Sequence, residues 1–164
     1  MLVRTTTADD LPFLRQMLYE AACWRPGDYP PLEQVLERPS LSCYLAGWGR
    51  RGDEGVVAVE QGRQLGAAWY RLFTAAEPGR GFVSEDVPEL TIAVAPEARG
   101  RGMGRRLLGS LIERARAAGY ESLSLSVEPD NEVALHLYER AGFETVATDA
   151  GAWTMTCRVV ETGR

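Results

Sequence analysis

The sequence predicts an α/β domain built on one central sheet, with its elements in the order βααβββαβαββ. Three observations carry that expectation. Leu90, Ile92 and Val94 alternate with Thr91 and Ala93 as in a strand, and a glycine turn and an apolar helical stripe follow directly. Leu123, Leu125 and Val127 alternate with Ser122, Ser124 and Ser126, and a second helical stripe comes after them. Two turns, Gln61-Gly62-Arg63 and Asp149-Ala150-Gly151, each separate a pair of strand-like runs and predict antiparallel pairing. A chain of 164 residues is expected to be one domain over 1–164, large enough for its own core.

Taken in order, Leu2 to Thr6 reads as the first strand, and Thr7 or Asp9 can cap the helix after it. That helix carries Leu11, Leu14, Leu18 and Ala21 on one face. Trp24 to Pro31, with three prolines and a glycine, is a loop. Leu32 to Arg38 is a short second helix that Pro39 should stop. Leu41, Cys43 and Leu45 alternate, but Gly47 and Gly49 weaken a strand there. Gly55 to Glu60 and Gln64 to Phe73 form the first hairpin. Glu77 to Asp86 is a polar, glycine-bearing link to the central strand. The helix after that strand has Met103, Leu107, Leu108, Leu111, Ile112 and Ala115 on one face. The next has Val133, Ala134, Leu137, Tyr138 and Ala141. Phe143 to Thr148 and Ala152 to Val160 close the sheet.

A strand that feeds a glycine turn and then a helix builds an anion site. Glycine admits backbone angles barred to other residues, and the unpaired amides of the first helical turn point at a phosphate. A Walker loop is excluded, because the chain contains no lysine. A dinucleotide fingerprint needs a third glycine at 105, where Arg105 stands, and an acidic residue ending a strand about 20 residues on, which is missing. What remains is Arg99-Gly100-Arg101-Gly102-Met103-Gly104, of pattern Arg/Gln-x-x-Gly-x-Gly/Ala. The run Glu128-Pro129-Asp130-Asn131 to Leu137-Tyr138 and Gly142-Phe143 follows the next strand.

Together these two motifs, which cover Leu90 to Phe143 and about a third of the chain, resemble the acetyl-CoA loop and closing motif of the GCN5-related N-acetyltransferases. The resemblance implies a single domain with a mixed, mostly antiparallel sheet flanked by helices. It implies acetyl-CoA as co-substrate, no metal, and direct transfer of acetyl to an amine. The amides of Arg99, Gly100, Arg101, Gly102, Met103 and Gly104, with Arg105, would hold the pyrophosphate, with Arg101, Arg105 and Arg106 adding charge; a solvated basic turn is the plainer reading. Ile92, Ala93 and Val94 would pair through main chain with the pantetheine arm, lying like an extra strand where two strands splay. Asn131 would cap its helix, touch the pantetheine, or do both. Tyr138 would protonate the leaving thiolate, for which a pKa near 10 suits it, or be a core tyrosine. The base is open. Glu89 is the first candidate, on the side of Thr91 and Ala93 if pairing is regular, whereas a bulge would flip that parity. Glu85, Asp86 or water are the alternatives, and His136 lies off the apolar stripe.

Composition narrows the partners. The net charge of −5 disfavours a general nucleic-acid binder. No run is long enough for a membrane span and the amino terminus lacks a signal pattern, so a cytoplasmic protein is expected. Cys23, Cys43 and Cys157 are scattered and odd in number, and read as reduced thiols and not as a disulfide frame or zinc site. No Gly-x-Ser-x-Gly elbow or Cys/His pair suggests an acyl-enzyme. The expected partner is an amine acceptor, a small molecule or a peptide amino terminus, and a homodimer is compatible with the chain. Trp24, Tyr29, Trp48, Trp69, Tyr70 and Phe73 are the candidate acceptor walls. A second class stays in view: a CoA-binding sensor or interaction module that kept the fold without the chemistry.

Overall fold

The computed structural model describes residues 1–149 and 151–160. Its strands are β1 (Leu2–Thr5), β2 (Glu54–Glu60), β3 (Arg63–Arg71), β4 (Glu89–Val94), β5 (Ser122–Val127), β6 (Glu144–Asp149) and β7 (Ala152–Arg158). Its helices are α1 (Leu11–Ala22), α2 (Leu32–Leu36), α3 (Pro39–Ser42), α4 (Met103–Ala117) and α5 (Glu132–Arg140). The strands form one sheet in the order β1-β2-β3-β4-β5-β7-β6. Every neighbouring pair is antiparallel except β4 and β5, which run parallel. The mixed, mostly antiparallel α/β domain expected from the sequence is the one observed. Ala150, the middle of the last expected turn, and residues 161–164 lie outside the described residues.

Strand alternation sorts the core into two layers. On one face, Leu90, Leu123 and Leu125 pack with the α4 stripe of Met103, Leu107, Leu108 and Leu111. On the other, Val57, Ala67 and Trp69 pack with Leu14, Met17 and Leu18 of α1 and Val35, Leu36 and Leu41 beyond it. The register of β3 on β4 is regular from Gly66↔Val94 to Arg71↔Glu89. The irregular steps lie elsewhere, between Ala58 and Val59 and between Thr145 and Ala147. Glu89, Thr91 and Ala93 therefore share the α1 face.

Local departures from expectation have local causes. The second helix does end before Pro39, at Leu36 with Arg38 extended, and the proline then opens α3 at its first position, where its missing amide costs nothing. The segment after α3 keeps turning, with Ala46 N–H donating to Ser42 at 2.8 Å and Trp48 N–H to Leu45 at 3.0 Å. Leu41, Tyr44 and Leu45 are the buried set there, a helical spacing that the Leu41/Cys43/Leu45 alternation masked. Val133 leaves the expected stripe and is 85% exposed. The first hairpin turns on Gln61 and Gly62 with φ of 51° and 76°, the two left-handed residues that match strand twist.

Candidate functional site

The site begins where the sheet comes apart. β4 and β5 pair at Glu89↔Ser124 alone, supported by Ser124 N–H donating to Pro88 at 2.9 Å. Past that point the edge of β4 facing β5 has no ladder partner, while β3 holds its other edge over the whole strand. Unpaired backbone groups in a sheet interior seek a partner. A cavity of about 1400 Å³ fills the wedge, lined among others by Glu89 to Val94, Ser126, Asn131 and Tyr138. That exceeds the ~300–1,000 Å³ of an ordinary ligand pocket.

At one end stands the glycine turn. Gly100 and Gly102 have φ of 78° and 76°, in the left-handed region, so the turn needs residues without a β-carbon. Gly102 is the N-cap of α4 and supplies no side-chain cap. The first amide with a helical acceptor is that of Arg106, which donates to Gly102 at 3.3 Å. The amides of Met103, Gly104 and Arg105 are left as open donors with the positive end of the helix dipole behind them. Arg99, Gly100, Gly102, Met103, Gly104 and Arg105 all line the cavity. Arg101 does not: its guanidinium turns outward to Glu60, at 2.7 and 2.9 Å. Arg99 lies against the turn, donating to Val94 at 3.2 Å and to Glu20 at 3.2 Å.

Glu89 is at the other end and is 2% exposed. Its Oε2 accepts from the Tyr44 hydroxyl at 2.5 Å and its Oε1 from Gly81 N–H at 3.0 Å. The Tyr44 oxygen in turn accepts from Arg80 N–H at 2.9 Å. The 79–81 loop closes tightly over the carboxylate. A β-carbon at Gly79 would stand 2.3 Å from Glu89 Oε1, and one at Gly81 would stand 2.5 Å from the Leu125 carbonyl carbon. Burial pushes the Glu89 carboxyl up to about 7, against the Tyr44 and Gly81 hydrogen bonds and the Arg80 charge, which pull it down.

A second cation could have cancelled that rise. Arg71 is the ladder partner of Glu89 and is itself buried, yet it is committed elsewhere. It donates to Asp53 at 3.0 and 2.7 Å and to the carbonyls of Cys43 and Ala46 at 2.9 and 2.7 Å. Both partners of this ion pair are 1% exposed at their side chains. Asp53 thus absorbs the charge nearest in the ladder, and Glu89 keeps a carboxyl poised near neutrality.

Tyr138, on α5, lines the cavity and is 7% exposed. Its ring packs on Phe143 with 5.9 Å between centroids, and among the described residues no protein group hydrogen-bonds its hydroxyl. Burial raises its pKa, so it is protonated at neutral pH. Asn131 caps α5, its side chain accepting from Ala134 N–H at 3.3 Å, and it also lines the cavity. A side-chain strap ties the segment after α1 to the segment after β5 beside the cavity. Trp24 donates to Glu128 at 3.0 Å, and Arg25 pairs with Glu128 at 2.9 Å and with Asp130. The Arg25 guanidinium lies 4.5 Å from the Trp24 ring centroid.

Of the aromatic walls expected from sequence, Trp24 alone lines the cavity. Trp69, Tyr70 and Phe73 are core residues at 1%, 1% and 5% exposure. Trp48 packs edge-on to Trp69, and Tyr29 sits outside, donating to the Arg25 carbonyl at 2.8 Å. Glu85 and Asp86 are exposed and away from the cavity. His136 is exposed at its rim. Sequence reasoning missed Tyr44 and Arg80. The signal for Arg80 was its place between Gly79 and Gly81, a spacing that marks close backbone approach; Tyr44 carried none.

The acetyltransferase (GNAT) family model matches residues 15–143. Mycothiol acetyltransferase of Propionibacterium freudenreichii subsp. shermanii is 38% identical over 96 residues, 58% of this chain and 29% of that protein. The chain spans less than a third of the length of the mycothiol acetyltransferases with such coverage. L-amino acid N-acyltransferase MnaT of Escherichia coli (strain K12) is 27% identical over 143 residues, 84% of this chain and 76% of that one. The ribosomal-protein-alanine N-acetyltransferase structure from Brucella melitensis superposes with a TM-score of 0.70 at 29% identity, covering 96% of this chain and 99% of its own. The family model matches most of the chain, which belongs to the acetyltransferase (GNAT) family.

Proposed function

We propose that this chain, as one N-acetyltransferase domain over 1–164, moves acetyl from acetyl-CoA directly to a primary amine of a small molecule or a peptide amino terminus. The observation that carries the reading is a single cavity lined at once by the glycine turn, the unpaired edge of β4, Tyr138 and Glu89. Acetyl-CoA is bound in solved proteins of this fold, and the residues here suit it. Open amides at the start of α4 take the pyrophosphate. Backbone groups of Ile92, Ala93 and Val94 pair with the pantetheine amides, and the Asn131 side-chain nitrogen, free of the cap bond, is a further donor.

Glu89 accepts a proton from the incoming ammonium and leaves a neutral amine, whose lone pair attacks the thioester carbonyl carbon. The carbon–sulfur bond breaks as the carbon–nitrogen bond is kept. Tyr138 donates its phenolic proton to the departing sulfur, and the second nitrogen proton returns to the Tyr138 oxygen. Glu89 releases its proton to solvent, so amide, CoA thiol and one proton are formed. A buried carboxyl near 7 and a protonated buried phenol suit these two tasks at neutral pH. We place the reaction in the cytoplasm, without a nucleic-acid or membrane partner. Among the described residues no helix is long and apolar enough to cross a membrane.

Thiol release from acetyl-CoA, followed across a panel of amines, tests the reading. Amine-dependent release is expected. Stabilisation by acetyl-CoA with no release from any amine overturns it and leaves a CoA-binding module.

A further inference from the structure

The same cavity carries information about the acceptor, and this inference rests on the acyl-transfer reading above. Arg80 lines the cavity from the loop that wraps Glu89. Its main chain is anchored, because its amide donates to the Tyr44 hydroxyl that donates to Glu89. Gly79 and Gly81 on either side are packed too closely on Glu89 and β5 for a β-carbon. The side chain itself is exposed. Among the described residues its guanidinium forms no ion pair, and its one contact is a long 3.4 Å approach to Ser40 Oγ. Arg99, at the glycine-turn end, is by contrast already satisfied by Glu20 and Val94. Leu18, Ala21 and Ala22 of α1 and Leu41 of α3 supply apolar lining to the same cavity.

We infer that the acceptor is an α-amino acid with an apolar side chain, its carboxylate taken by Arg80, its amine turned to Glu89, and its side chain laid on Leu18 and Leu41. A simple amine would meet the fixed Arg80 cation beside the base. A carboxylate one carbon from the amine converts that repulsion into a charge-assisted, fork-like hydrogen bond. A peptide amino terminus offers a neutral amide at the same place and gains far less. The apolar lining selects against a charged side chain, which would be desolvated there without a partner.

The test compares leucine, leucinamide, 3-methylbutylamine and glutamate as acceptors by initial rates of thiol release, in the parent and in Arg80→Ala and Arg80→Lys. Leucine is expected to exceed leucinamide and 3-methylbutylamine in kcat/KM by about 10- to 100-fold, the range of a hydrogen bond to a charged group. It is also expected to exceed glutamate. Arg80→Ala should bring the leucine to 3-methylbutylamine ratio close to one, and Arg80→Lys should keep part of it. A parent that acetylates 3-methylbutylamine or leucinamide as well as leucine overturns the proposal while leaving acyl transfer intact. If no amine releases thiol, the acyl-transfer reading fails and the anion site is read by titration calorimetry of leucine into CoA-loaded protein. Binding that Arg80→Ala removes upholds the site without the chemistry; absence of binding overturns it too.

Discussion

Tyr138 leans its ring on Phe143 and offers a hydroxyl that no protein group among the described residues engages. Tyr138→Phe therefore removes no native hydrogen bond, and the melting temperature should change by no more than a few degrees. If the phenol protonates the leaving sulfur, kcat should fall by about 100- to 10,000-fold. Turnover within threefold of the parent, with the chemical step limiting, makes the tyrosine structural. Glu89 makes a pH prediction with two signs. As a base it works ionised, so kcat/KM should rise through a pKa near 7, and Glu89→Gln should lower kcat and erase that limb. Stability runs the other way. A folded-state value of about 7 against an ordinary 4.5 means the fold prefers the protonated form, and its contribution is present at low pH and lost as pH rises through 7. Between pH 5 and 8 the parent should lose roughly 2 to 3 kcal/mol relative to Glu89→Gln in urea melts. A flat difference would show that Glu89 is solvated in solution.

Among the elements, the turn into α4 is the most exposed to a single change. A β-carbon at Gly102 meets nothing within 4 Å, so packing does not forbid one. The φ of 76° does, at about 1–3 kcal/mol for a branched residue. Gly102→Val should keep its circular dichroism spectrum yet weaken acetyl-CoA by at least about tenfold in calorimetry, because the amides of Met103 to Arg105 lose their aim. Unchanged affinity in a folded variant would move the phosphate site elsewhere. The strand, this turn and α4 were legible in sequence because each has a period or a glycine that only one geometry satisfies. The 77–86 link was not. Its residues are polar and aperiodic, and what folds it over Glu89 is long-range contact with Tyr44 and β5, which no local pattern encodes. The same holds for Arg71 beside Glu89: the ladder made them neighbours, but only the tertiary course of the Asp53 loop decided which carboxylate Arg71 would meet.

Across the whole molecule, the order of elements was legible, while which aromatics are core and which are wall was not. Trp69, Tyr70 and Phe73 look alike in sequence, and their place depends on which side of the sheet α1 to α3 cover. The single rung Glu89↔Ser124 joins β1–β4 to β5–β7 in the ladder, with the α4 stripe, the 79–81 loop packed on β5 and the Trp24–Arg25 strap among the further ties. In hydrogen exchange, the two groups of strands should then open as separate units in the free protein, β5 to β7 with the lower protection. Acetyl-CoA bound across the wedge touches both groups, so at about 100 Kd it should add roughly 2.7 kcal/mol to each and merge their openings into one. Exchange that is already uniform without ligand would mean that α4 alone binds the halves together. Otherwise the co-substrate is also the mortar of the fold, and how much free protein is lost to proteolysis becomes a readout of acetyl-CoA supply.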